Sequence, residues 1–218
     1  MTQSLRRTTL VFDLDGTLVD SAPDIAAAVN ALFAELELPE VELALIRRMI
    51  GDGAPVLLER ALRHVGAPHK ATDLMPRFNV HYGENAARLT TLYPAVVETL
   101  THLRGLGCRL GVCTNKPIGP THAVLAALGL GPLMEAVVGG DSLPQRKPAP
   151  EPLLDVIQAL DGTPESAVLI GDSAVDLACA EAAGVPAIII PSGYGMVEPK
   201  ATIIAAGFAA LPGVIARL

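Results

Sequence analysis

Short apolar runs that stop abruptly at polar residues alternate, over much of this chain, with longer stretches of helical periodicity. Thr8–Leu14 begins as such a run and breaks into carboxylates at Asp13 and Asp15, which predicts a buried strand with a polar end. Ser21 then has the chemistry of a helix N-cap, with Pro23 and Asp24 in the first turn and capping-box spacing between Ser21 and Asp24. Ala26–Leu38 continues as an amphipathic helix that gathers Val29, Leu32, Phe33 and Leu36 on one face and ends at Pro39. Three further helices are predicted over Val41–Ile50, Pro55–Val65 and Ala71–Leu89, broken by Gly51-Asp52-Gly53 and by Gly66–Pro68. No strand pattern interrupts this stretch. About 70 helical residues between strands far exceed the dozen or so that a crossover needs. Residues 20–91 therefore read as an inserted all-helical cap, and residues 1–19 with 92–218 as the core.

From Tyr93-Pro94 onward the periods alternate. Helices are predicted over Val96–Leu106, Gly119–Leu128, Pro152–Leu160 and Val175–Ala183, and strands over Arg109–Thr114, Ala136–Val138, Ala167–Ile170 and Ala187–Ile190. This is the signature of an α/β fold with a doubly wound parallel sheet, Rossmann-like in the core. Ligands of such sheets bind beyond the carboxyl ends of the strands. That rule sets Asp13, Thr114 and Asp172 along one shared edge.

Composition narrows the function classes. Half of the chain is hydrophobic, there is no Trp, and the formal charge is −7. An acidic chain of this kind is not a general nucleic-acid binder, and any anionic substrate must find its positive groups concentrated locally. Cys108, Cys113 and Cys179 are odd in number and fit no metal-cluster spacing, so they read as reduced thiols of an intracellular protein. Cys113 could be a nucleophile, but its apolar run marks it as a buried strand residue. Neither a signal peptide nor a membrane span is predicted, and the chain is expected in the cytoplasm.

Four segments carry candidate chemistry. In Phe12-Asp13-Leu14-Asp15-Gly16-Thr17 two carboxylates two residues apart point to one side of an extended chain. They repel unless a cation lies between them, which suits oxygen-ligated Mg²⁺, although Asp-Gly also occurs in plain solvated turns. In Gly171-Asp172-Ser173, with Asp176 one helical turn on, Asp172 can reach a metal while Asp176 orients ligands from behind. A helix start that simply favours acidic residues fits the same pattern. Thr114-Asn115-Lys116-Pro117 offers a hydroxyl and backbone N–H groups to a phosphate, or caps a helix. Lys147, in the Pro-flanked Gln145–Pro150 loop, is either a fixed positive charge for phosphate or a surface lysine.

Taken together, DxDGT, a strand ending in Thr, Lys-Pro and GDSxxD resemble, in order and spacing, the four-motif signature of the haloacid dehalogenase superfamily over nearly the whole chain. Within it the sequence looks most like the bacterial phosphoglycolate phosphatases. The stretches that carry this likeness are FDLDGTLVDSAPDIAAAVN, RRMIGDGAPVLLERAL, CTNKP, VVGGDSLPQRKPAPEPLL and VLIGDSAVDLACAEAAGVP. One departure is Ala174-Val175, where Arg-Asn is usual.

The resemblance implies a Mg²⁺-dependent phosphatase acting on a small phosphate monoester, 2-phosphoglycolate first. Asp13 would be the nucleophile and Asp15 the general acid and base. Asp13, Asp172 and the backbone carbonyl of Asp15 would hold the metal, with Ser173 and Asp176 supporting them. Thr114, Asn115 and Lys147 would bind phosphate, and Gly51 and Gly53 would bring cap backbone to the ligand. Arg47, Arg48, Arg60, Arg63 and Lys70 are candidates to read the substrate's carboxylate. The partners implied are the small anionic ester and, at most, a second copy of the chain, with no nucleic acid and no membrane. Sugar phosphates, nucleotides or pyrophosphate remain as alternative substrates, and a non-catalytic binding protein as an alternative role. A mutase is disfavoured because Pro23–Ala26 lacks the expected His. Carbon–halogen and phosphonate hydrolysis are disfavoured because Asp15 is present.

Overall fold

The computed structural model describes residues 6–83, 86–191, 194 and 203–218. The first five residues, and residues 84 and 85 of the helix expected over Ala71–Leu89, lie outside that range. The apolar run at the start becomes β1 (Thr9–Phe12), buried at every residue. After a tight turn come β2 (Val19–Asp20) and four helices: α1 (Ala22–Glu35), α2 (Leu43–Met49), α3 (Ala54–His64) and α4 (Ala71–Gly83). Next are β3 (Thr91–Leu92), α5 (Val96–Gly105), β4 (Arg109–Cys113), α6 (Ile118–Ala127) and β5 (Ala136–Val138). The chain continues through α7 (Glu151–Ala159), β6 (Ala167–Gly171), α8 (Ala174–Ala182), β7 (Ala187–Ile189), β8 (Ile203–Ile204) and α9 (Leu211–Ile215).

Six strands form one parallel sheet in the order β5-β4-β1-β6-β7-β8. The doubly wound reading therefore holds, with β1 central and pairing Phe12 with Val112 on one side and Ile170 on the other. Strands buried on both faces read as continuous apolar runs, which is why they were legible. One face packs on α5, α6 and α9, where the Phe12 and Phe208 rings stack 6.2 Å apart. The other face packs on α7 and α8. A third apolar cluster, running from Ile25 to Ala86, lies wholly within α1–α4 and the residues around them.

The structure corrects several local expectations. Asp20 and Thr91 are not helical: β2 and β3 pair antiparallel, Val19 with Leu92 and Asp20 with Thr91. Two-residue strands have no period to detect. Helix α1 starts at Ala22, directly after Ser21 as expected, but Ser21 makes no side-chain cap to it, and the helix ends at Glu35, short of Leu38. Helix α4 ends at Gly83, short of Leu89. The carboxylate of Asp24, which is 1% exposed, instead takes the backbone N–H groups of Leu89 and Thr90 and the Thr90 hydroxyl, at 2.6 to 2.9 Å. Asp24 thus ties the start of α1 to the segment entering β3. Strand β8 and helix α9 were not anticipated.

Candidate active site

Asp13 is the first residue beyond β1, and its N–H still bonds to Ile170 O at 2.8 Å, so the sheet fixes its backbone. Gly16 turns the chain back at φ +88°, a region that disfavours side chains. A Cβ at Gly16 would also meet Asp172 Oδ2 at 2.5 Å. Asp172 follows β6, and its Oδ1 accepts a bond from the Thr17 hydroxyl at 3.3 Å. Gly171 is needed for a similar reason: its missing side chain makes room for Asp176, whose carboxyl carbon a Cβ there would strike. Asp176 folds back to the start of α8, where Oδ2 accepts from the Ser173 N–H and hydroxyl at 3.1 and 2.6 Å.

The loop after β5 delivers Lys147, which is 3% exposed. Its Nζ lies 2.9 Å from Asp13 Oδ1 and 2.6 Å from Asp176 Oδ1. Burial favours the neutral amine, but the two carboxylates overcome that and raise the Lys147 pKa well above its ordinary value. Burial pushes Asp13 up to about 6, opposed by Lys147 and reinforced by the nearby charge of Asp176. Carboxylate oxygens of Asp13, Asp172 and Asp176 all lie within 4.8 Å of one another. One ammonium, paired with Asp13 and Asp176, thus stands against a cluster of three carboxylates, a surplus of negative charge offered by hard oxygen donors. This donor set suits Mg²⁺.

The Asp15 carboxylate turns away from that cluster. It receives Lys116 Nζ at 3.0 and 3.1 Å and the Ser21 hydroxyl at 2.6 Å. Asp13 and Asp15 nevertheless line the same cleft, which lies between the sheet edge and the helices α1, α3 and α4. Thr114, Asn115, Gly51 and Gly53 line it as well. Asn115 Nδ2 bonds to Gly51 O at 3.1 Å and to Lys147 O at 3.0 Å, and so connects the glycine loop to the lysine loop. Asn115 Oδ1 is buried with no partner. Gly51 and Gly53 take φ of +129° and +89°.

The expected cap cations stand elsewhere. Arg47 pairs with Asp20, Arg60 with Asp52 and Arg63 with Glu59, while Arg48 and Lys70 are exposed. None of the five lines the cleft. Sequence reasoning overlooked Lys116 and Tyr82, which do line it. Lys116 directly follows Thr114-Asn115, but a lone lysine carries no sign of burial. Tyr82 sits at the end of α4, where a ring on an apolar face reads as core. Cys108, Cys113 and Cys179 are free and buried, and burial raises each thiol pKa, which removes Cys113 as a nucleophile. Among the described residues no helix is long and apolar enough to cross a membrane.

Comparison with known proteins agrees with the motifs. The model of the family described as "Haloacid dehalogenase-like hydrolase" matches residues 10–190. A phosphoglycolate phosphatase of Cereibacter sphaeroides is 48% identical over 188 residues, 85% of each chain. One of Rhodospirillum rubrum is 42% identical over 201 residues, 89% of this chain and 83% of that one. A crystal structure of a predicted phosphoglycolate phosphatase from Haemophilus somnus superposes with a TM-score of 0.88 at 33% identity, covering 96% of this chain and 98% of the other.

Proposed function

This chain belongs to the haloacid dehalogenase-like hydrolases, a phosphatase among them, and from that premise we propose that it hydrolyses the phosphate monoester of phosphoglycolate through a phosphoenzyme on Asp13. The observation that carries the reading is the buried Asp13–Lys147–Asp176 arrangement at the sheet edge, with the Asp15 carboxyl group facing the same cleft.

In the first step a carboxylate oxygen of Asp13 forms a bond to phosphorus as the ester P–O bond breaks, and Asp15 gives a proton to the departing alkoxide. In the second, Asp15 takes a proton from water, the water oxygen bonds to phosphorus, and Asp13 leaves as carboxylate. Lys147 holds Asp13 in place and offsets negative charge as the transferred group shifts. Thr114 and Asn115 line the cleft where phosphate oxygens must lie. Mg²⁺, held by Asp13, Asp172 and the backbone carbonyl of Asp15, would supply the charge that lets a carboxylate approach a phosphate. Asp176 would orient that set through Ser173 and Lys147. Residues 20–91 would act as the cap. Ile25, Ile50, Leu57 and Phe78 form its apolar wall over the cleft, which favours a small substrate and excludes bulk water during transfer.

The test is kcat/KM across a panel of phosphate esters, with Mg²⁺ and with chelator, beside Asp13→Asn. Dominant turnover of phosphoglycolate that disappears with chelator and in the variant is expected. Turnover that ranks a sugar phosphate or nucleotide first would replace the substrate and keep the chemistry. Turnover that survives Asp13→Asn would overturn the mechanism.

A further inference from the structure

With the cap arginines paired or exposed, something else must meet the non-phosphate end of an anionic substrate. Among the described residues that line the cleft, Lys116 carries the one positive charge. It is 6% exposed. Its Nζ sits 4.7 Å from the centroid of the Tyr82 ring, within reach of a cation–π contact between the core and α4. Burial disfavours the ammonium, yet Asp15 and Tyr82 together hold its pKa above the ordinary lysine value.

An ammonium has three donors, and the two oxygens of Asp15 engage at most two of them. Tyr82 also lines the cleft, and its hydroxyl is buried with no hydrogen-bond partner, the residue being only 5% exposed. An unsatisfied buried hydroxyl is costly unless a ligand completes it. The third ammonium N–H lies on the Tyr82 side, close to the phenol oxygen but without a hydrogen bond of ordinary geometry, so these two neighbouring donors can turn to the two oxygens of a carboxylate.

We propose that Lys116 and Tyr82 form the subsite for the anionic, non-phosphate end of the substrate, so that the cleft selects small phosphate esters bearing a second acidic group. The proposal rests on the phosphatase reading above and assigns to the core strand-end loop a selectivity expected of the cap cations. The same lysine contacts Asp15, so substrate recognition and the general acid meet at a single ammonium.

The experiment compares kcat/KM for phosphoglycolate with that for hydroxyethyl phosphate, which keeps the size and replaces the carboxylate by a neutral hydroxymethyl group. Both are measured with Mg²⁺ on the full chain. The wild type should prefer phosphoglycolate by about 100-fold, the scale at which a site built to bond a charged group rejects a partner lacking it. Lys116→Met should bring that ratio within about threefold of unity, and Tyr82→Phe should lower it about threefold to tenfold. Because Lys116→Met also loosens Asp15, both rates will fall, and the ratio is the readout. If that variant turns over neither ester, the Ki ratio of phosphonoacetate to hydroxyethylphosphonate replaces it. A ratio unchanged in Lys116→Met and Tyr82→Phe, or absent in the wild type, overturns the subsite and leaves the phosphatase chemistry standing. Failure of the wild type to hydrolyse either ester or any other phosphate overturns the functional reading itself, and the subsite with it.

Discussion

Removing the charge of Asp13 should change how the stability of the metal-free protein depends on pH. Asp13 rises from 3.8 to about 6 on folding, chiefly through burial, which the attraction of Lys147 only partly offsets and to which Asp176 adds repulsion. Between those two values the native state holds more protons than the unfolded chain, so stability falls as pH rises. The contribution is fully present below about 3.8 and is lost as pH passes through about 6. The difference of about two pKa values corresponds to about 3 kcal/mol. Asp13 is 7% exposed, so solvent screening does not erode it. For a chain of this length, 3 kcal/mol moves Tm by about 6–12 °C. The assay is thermal unfolding of chelator-treated wild type and Asp13→Asn from about pH 3 to about pH 7.5. The stability of the wild type relative to the variant should decline by that amount, and Mg²⁺ at neutral pH should restore it in the wild type alone. A difference curve that is flat, or that rises with pH, would refute the claim that buried, uncompensated carboxylate charge prepares this site for a cation.

Asp24→Ala would orphan the Leu89 and Thr90 amides and the Thr90 hydroxyl, and should cost about 2–4 kcal/mol in urea unfolding; a loss under about 0.5 kcal/mol would show that these donors find other partners. Gly16→Ala forces a side chain into a left-handed turn and against Asp172, and should lower kcat/KM by about 100-fold or more while Tm drops by only a few degrees. Arg48→Ala and Arg63→Ala should each change kcat/KM for phosphoglycolate by less than about twofold, since neither side chain lines the cleft. Tyr194→Phe removes the hydroxyl that donates to Asp20 Oδ1 and accepts from the Ala22 N–H, each at 2.6 Å. A Tm lowered by about 2–6 °C is expected, and no change would mean that the bridge does not stabilise the β2 turn.

The parallel sheet was legible because its strands are buried on both faces and end at polar residues, as Val168–Ile170 before Gly171-Asp172 does. The positions of Asp13 and Asp172 were legible for a different reason: short motifs at strand ends carry both residue type and place. What escaped was set by tertiary contacts between segments distant in sequence. Ser21 has the composition of a cap but spends its hydroxyl on Asp15. Asp24 has the composition of a helix first turn, yet serves residues 65 and 66 positions away. Lys116 reads as a surface charge until Tyr82, from the helical segment, closes over it. Helix–strand pattern reports which face is apolar, but it does not report which distant polar group a buried donor will find.

The two-stranded pairing of β2 with β3 places the exit and re-entry of the helical insert side by side. Seen from the sheet, everything between Asp20 and Thr91 is one closed excursion whose two chain connections leave and return at one place. Loop-closure entropy grows only by about 0.6 kcal/mol for each doubling of length, so the sheet is nearly indifferent to how long the excursion is. An insert held in this way can be lengthened, shortened or exchanged for an unrelated module while β1 keeps its neighbours and Asp13 its place. The fold thereby separates what is chemically fixed from what is free to diversify, and chimeras joined at this pair of strands should fold where junctions elsewhere in the insert do not.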